Sequence, residues 1–288
     1  MKKLFCLKGL VVSLLLAVAA PSKASELNLE SGVPARDTET EESPRLLSAF
    51  FGLDNDLPFR INLICVGGSG KDGMPVVFSQ TLDADTLEPE DFQIVTASGK
   101  VNTPRCVTLN PARDASENRT VLLIGEFGDA PEDPPTSVMI VSELLSDGTP
   151  SVDFNGAQID VTPLAAGPSI VLAQQVAESV WTKKSTSTAC PKDSAQVIRV
   201  TWNGGVKRPN GDEPGDEERK LYRVTVKRAD GSSNEISPAA LAELDDNDNN
   251  HFLCLDTADP AVSVSFPEGH LVDPNGDLNP DTQVAVSR

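Results

Sequence analysis

The chain has 288 residues, with 43 Asp and Glu against 24 Lys and Arg for a net charge of −19, and only two His and five Cys. Affinity for phosphate backbones and anionic headgroups is built mainly from Lys and Arg contacts, so this balance excludes nucleic acid as the expected partner. Hydrophobic residues at 39% exclude a wholly disordered chain, while 5% aromatics with 20 Gly and 22 Pro fit about two domains with modest cores and many turns.

Lys2, Lys3 and Lys8 form a basic start, residues 10–20 are apolar or small, and Ser22 and Ala24 are residues a signal peptidase accepts. The pattern predicts a cleaved secretory signal over residues 1–24, because the run is about half the ~20 apolar residues a bilayer span requires. Cys6 precedes the run instead of following it, so lipid anchoring is not expected. Cleavage removes four lysines and no acids, taking the charge from −19 to −23. No later apolar run is long enough to span a membrane, so no membrane insertion is expected after cleavage. Residues 25–43 are polar, acidic and aperiodic, and 25–45 are expected to be a disordered acidic leader.

From residue 46 to 166 short apolar runs are punctuated by Gly, Pro, Asp and Asn. Strands are expected at 61–66, 76–79, 92–96, 105–109, 120–126, 137–143 and 157–161, with loops at 67–73 and 129–135, the cue for an antiparallel β-sandwich. Residues 167–288 have the same texture and are expected to form a second β-rich domain. Strands are predicted at 170–181, 196–202 and 221–226, with 203–220 as a long hairpin connection holding Asn210-Gly211. Ser237 and Pro238 suit the N-cap and first position of a short helix running to Leu244. No internal repeat stands out. The whole reads as all-β, two antiparallel sandwiches.

One stretch carries a resemblance. Val76-Val77-Phe78-Ser79-Gln80-Thr81-Leu82-Asp83-Ala84-Asp85-Thr86-Leu87, followed by Phe92 and Gly99, resembles the opening of bacterial Ig-like domains of surface-layer and adhesin proteins. In that family a strand ending Phe-Ser leads through a Leu-Asp-x-x-Thr-Leu turn to a second strand beginning near a Phe. The residues agree physically, since Val76 and Phe78 alternate to one side, Asp83 and Thr86 suit a turn, and Phe92 and Ile94 can meet the same core. The resemblance covers about residues 75–165 and implies an Ig-like fold for the first domain, with a role at the cell surface. The four cysteines depart from the family, which usually lacks disulfides.

Export gives those cysteines a meaning. An even count in an oxidising compartment predicts two disulfides; four cysteines allow three connectivities that sequence alone does not separate, and the expected one pairs within each half, Cys65 with Cys106 and Cys190 with Cys254, each contributing about 3 to 4 kcal/mol in the chain-entropy model. A zinc site would need close CxxC spacing and His partners that the sequence lacks.

Catalytic signals are thin. Neither His251 nor His270 neighbours a nucleophile motif, and Gly67-Gly68-Ser69-Gly70-Lys71 departs from phosphate-loop spacing and reads as a turn. Asn118-Arg119-Thr120 matches a glycosylation sequon, discounted because the signal looks bacterial. Trp181, Trp202 and Tyr222 are expected in cores. Hard cations want several oxygen ligands on a tight loop, and two clusters supply them: Asp245, Asn247, Asp248 and Asn249, and the alternation Asp273, Asn275, Asp277, Asn279 and Asp281. Calcium is the single cofactor expected, if any. The sequence thus points to a secreted or periplasmic bacterial binding, adhesive or structural module. Its expected partner is an envelope or extracellular protein or a glycan. The rival reading is a secreted hydrolase with paired carboxylates in an interdomain cleft.

Overall fold

The computed structural model describes residues 43–112, 115–181, 189–242 and 248–288. The signal expected at 1–24 and nearly all of the leader lie outside the described residues. In the first half, β1 (Leu46–Phe50), β2 (Asp72–Phe78), β3 (Phe92–Thr96), β4 (Val101–Asn102), β5 (Cys106–Thr108), β6 (Thr120–Gly125), β7 (Pro135–Ile140) and β8 (Gln158–Thr162) join in the order β4-β3-β7-β8-β1-β2-β6-β5. In the second half, β9 (Ile170–Gln175), β10 (Gln196–Trp202), β11 (Arg223–Lys227), β12 (Ser233–Ile236), β13 (Ala240–Ala242), β14 (Asn250–Leu255), β15 (Ala261–Phe266) and β16 (Thr282–Ser287) join in the order β12-β11-β15-β16-β9-β10-β14-β13. Adding eight to every strand number of the first order produces the second.

The chain is therefore two copies of one β topology. The registers place residues of one copy on residues of the other: Ala49 pairs with Val161 and Val76, and Ala173 pairs with Val286 and Val200. In each copy the parallel pair, β1 with β8 or β9 with β16, joins two antiparallel sections whose apolar sides close on one core. Strand alternation explains the choice of residues, since Met74, Val76 and Phe78 are spaced by two and enter the first core together with Phe92 and Ile94. At the joint between the copies, a Cβ on Gly167 would stand 1.8 Å from the Leu278 carbonyl oxygen, so the chain passes only as glycine.

Both disulfides join the expected cysteines, with Cα atoms 5.9 Å apart for Cys65–Cys106 and 5.6 Å for Cys190–Cys254. The two bonds occupy neighbouring strands of equivalent places. Cys106 on β5 lies opposite Ile124 on β6, while Cys254 on β14 lies opposite Ala240 on β13, so the anchoring cysteine has changed sides of the same cross-strand pair.

Four expectations are corrected. The strand expected at 61–66 is a 3-10 turn, Phe59–Leu63, because the segment crosses from β1 to β2 without a strand partner and the bond at Cys65 ties it down. The helix expected after Ser237 gives way to β13, whose Ala240, Leu241 and Ala242 pair with Cys254, Leu253 and Phe252, so tertiary pairing overrides the capping pattern. The connection 203–220 is no hairpin: β10 and β11 belong to different sections, and the crossover carries a one-turn helix, α2 (Asp216–Arg219). The predicted run at 170–181 divides into β9 and a second one-turn helix, α1 (Glu178–Trp181).

The two halves touch through polar contacts. Gln174 Oε1 accepts from Arg119 Nη2 at 3.1 Å and Arg199 Nη2 at 2.8 Å, and Arg199 Nη1 also donates to the Ser116 carbonyl. Asn249 Nδ2 donates to Thr120 Oγ1 at 3.1 Å.

Candidate functional site

The same face of each copy is finished differently. In the second, Phe252 on β14 packs with Val197, Cys254 and Ala242 beneath Trp181 of α1, which is 8% exposed and closes that face. In the first, the residue equivalent to Phe252 is Leu122 on β6, and the segment equivalent to α1 is the turn Phe59–Leu63. That turn buries Ile61 beside Leu57, Cys65 and Ile124, yet leaves Phe59 82%, Leu63 90%, Ile64 51% and Val66 80% exposed. The face stays open as a cleft of about 530 Å³, walled by Leu57, Ile61, Ile64, Pro75 and Leu122. Gly204, Gly205, Asn249 and Pro274 of the second half complete its wall.

Local bonds hold the exposed turn in place. Asn62 Oδ1 accepts from the amides of Gly67 (3.0 Å) and Ser69 (3.2 Å), Arg105 Nε donates to the Val66 carbonyl at 2.8 Å, and the Cys65–Cys106 bond ties the turn to β5. The apolar side chains are thus presented on a braced loop, where their exposure carries little ordering entropy on contact with a ligand.

The charged groups around the cleft are few. Arg60 and Asp248 line it, and Asp248 is buried, with its oxygens accepting from the Asn250 amide at 2.7 Å and Asn250 Nδ2 at 2.9 Å. Asp72 and Asp273 adjoin the lining residues Gly73 and Pro274 without lining the cleft themselves. Burial pushes each carboxyl up to about 6. Asp72 accepts from the amides of Asn55 and Phe127, on the side of β2 opposite the cleft.

Of the two expected cation clusters, part of the first and all of the second fall among the described residues. Asp245 and Asn247 lie outside the described residues. Asn249 Nδ2 is spent on Thr120 and on the Trp202 carbonyl, so this residue braces the junction of the halves. In the second cluster, Asn279 Oδ1 accepts from His270 and Leu271 amides, and Asp281 Oδ1 accepts from the Glu268 amide. Asp273, Asn275 and Asp277 share one tight turn, in which Asp273 Oδ1 accepts from the Asp277 amide at 2.8 Å and Asn275 Nδ2 donates to Asp277 Oδ2 at 2.7 Å. Asp273 Oδ2 is buried and has no hydrogen-bond partner. Among the described residues no group of three or more His, Cys, Asp or Glu side chains is placed to hold a metal.

His251 is buried in the second core, where Trp202 Nε1 donates to Tyr222 Oη at 3.1 Å and Tyr222 Oη lies 2.8 Å from His251 Nδ1. With the phenol accepting from the indole, its own proton goes to Nδ1, leaving the imidazole neutral with its hydrogen on Nε2. Burial lowers this His to about 4. Sequence reasoning missed the cleft because its lining residues are ordinary core types; the signal available was the unusual density of apolar residues flanking Cys65.

No family model matches the chain, and no curated protein matches it in sequence. Among solved structures, domains 1–6 of the surface layer protein SbsC align at 14% identity and a TM-score of 0.30 over 86% of this chain and 26% of that one. The N-terminal part of the bacterial S-layer protein SbsC aligns at 15% identity and 0.30 over 86% and 45%. The chain thus spans less than half of either. Among the described residues no helix is long and apolar enough to cross a membrane.

Proposed function

We propose that the chain is an exported bacterial binding module of two Ig-type β domains, and that the apolar cleft beside residues 59–66 is its binding face. Export is supported by the signal-like start and by two disulfides, which persist in oxidising compartments. The Ig assignment is supported by strand order: with β1 to β8 read as A, B, C, C′, D, E, F and G, the sections are ABED and GFCC′.

One observation carries the reading of the cleft: of two equivalent faces, the second is closed by Trp181 and the first is left open with four large apolar residues exposed. Contiguous exposed apolar surface on a protein this acidic marks an interaction site, and the volume lies in the range of small-ligand sites. A sugar would leave hydroxyls unpaired against such a lining, so an apolar ligand or protein segment fits better than a glycan. The rival hydrolase needs two carboxylates facing across the cleft, and among the described residues Asp248 is its one acidic lining residue.

Binding of the neutral dye Nile red tests the reading. A Cβ on Gly205 meets no atom within 4 Å, so Gly205→Trp can fill the cleft without displacing the fold. The native chain is expected to give saturable blue-shifted emission that Gly205→Trp loses; equal emission from both would reject the cleft as the binding face.

A further inference from the structure

Resting on that reading, the character of the ligand follows from Arg60. In a chain of 43 acids the described lining of the cleft holds one basic residue, Arg60, which is exposed, flanked by Phe59 and Ile61, and carries no ion pair or side-chain hydrogen bond among the described residues. Asp248, the acid of the lining, is buried with its carboxylate turned onto Asn250. Among the described lining residues the solvent-facing charge is therefore positive, while the walls offer almost nothing to a polar group. A guanidinium presents donors in a planar fork that matches a carboxylate or phosphate. The remaining charges of the acidic body are screened beyond about 8 Å at physiological ionic strength, so direct contact with Arg60 decides the preference.

We infer that the cleft takes a single-chain amphiphile with an anionic head, its carboxylate or phosphate on the Arg60 guanidinium and its hydrocarbon tail against Leu57, Ile61, Pro75 and Leu122. Leu63 and Ile64 line the cleft and are exposed, so apolar surface for the tail reaches from the cleft to solvent.

The test displaces Nile red from the full chain with decanoate, dodecanoate, dodecyl phosphate and dodecanol, each below its micellar concentration. Dodecanoate or dodecyl phosphate is expected to act at about five- to tenfold lower concentration than dodecanol, as one charged hydrogen-bonded contact at a partly exposed site allows. The two anions distinguish a carboxylate head from a phosphate head. Dodecanoate should exceed decanoate by about fourfold per added methylene. Arg60→Gln should erase the head-group preference while keeping dye binding, and Arg60→Lys should retain most of it. Equal displacement by all three twelve-carbon compounds, or a preference that survives Arg60→Gln, would overturn the inference while leaving the cleft a binding face. Absence of dye binding would remove both.

Discussion

Phe78 and Trp202 stand at the same point of the two copies. Phe78 lies two positions beyond Val76, the partner of Ala49, and Trp202 two beyond Val200, the partner of Ala173. The neighbouring registers carry the equivalence onward, matching Phe92 to Tyr222, Val121 to His251 and Ile140 to Phe266. The first core is apolar at all four places, with Phe78 and Phe92 edge to face at 6.4 Å, whereas the second holds the Trp-Tyr-His chain on the same scaffold. A buried polar chain is worth having only when every member is paired.

That dependence predicts strong coupling between Tyr222 and His251. Tyr222→Phe removes the acceptor of the Trp202 indole, and His251→Leu strands the phenol proton, each leaving a buried polar group unpaired at about 1 to 3 kcal/mol. The double variant removes both members of the 2.8 Å contact. Its loss in urea denaturation is expected to fall short of the sum by at least about 1 kcal/mol; additive losses would deny that the two act as one unit.

The same His sets a pH dependence. Its folded value is about 4 against the ordinary 6.5, so between these the unfolded chain binds the extra proton. The stability tied to neutral burial is full above pH 6.5 and is lost as pH falls toward 4, by on the order of 3 kcal/mol for a fully buried group. His251→Leu, compared with the native chain from pH 7.5 to 4, should flatten this limb. Parallel profiles would show that acid sensitivity arises elsewhere.

Much of the fold was legible. Residues 92–96 and 196–202 coincide with β3 and β10 because each is rich in β-branched and aromatic residues and is bounded by turn residues. The duplication was not legible, since equivalence lies in strand register: Phe78 and Trp202, or Cys106 and Ala240, share a place without sharing a residue type. Residues 61–66 read as a strand because apolar density suggests burial, yet much of that surface faces out and the segment forms the turn Phe59–Leu63.

The Cys65–Cys106 bond should matter to the cleft as well as to stability. It closes 41 residues of sequence separation, about 4 kcal/mol in the chain-entropy model, and it anchors the turn that carries Phe59, Leu63 and Ile64. Replacing both cysteines with serine is expected to lower the urea midpoint and weaken Nile red binding. The Cys190–Cys254 pair, closed over by Trp181, should affect stability without altering dye affinity once the chain is folded. Equal effects of the two removals on dye binding would separate the bond from the binding face.

Asp273 offers a last prediction, in which acid and cation compete for one oxygen. Oδ1 of this carboxylate is held by the Asp277 amide, while Oδ2 is buried without a partner, and burial raises the group to about 6. Because the folded value lies above the ordinary 3.8, the linked stability is full below pH 4 and is lost as pH rises through 6. Asp273→Asn should therefore stabilise the chain more at pH 8 than at pH 4 when chelator is present. The unpartnered oxygen also favours a calcium ion on the turn of Asp273, Asn275 and Asp277, a smaller set than the sequence alternation offered, since Asn279 and Asp281 accept from backbone amides. So sparse a ligand set implies affinity of roughly 10⁻⁴ to 10⁻³ M, the range of extracellular modules. Millimolar calcium at pH 8 is then expected to raise the Tm of the native chain by mass action and to leave both Asp273→Asn and Asp277→Ala unmoved. A Tm indifferent to calcium in the native chain, together with the pH-dependent gain in Asp273→Asn, would assign Oδ2 to an uncompensated buried charge and the turn to structure alone.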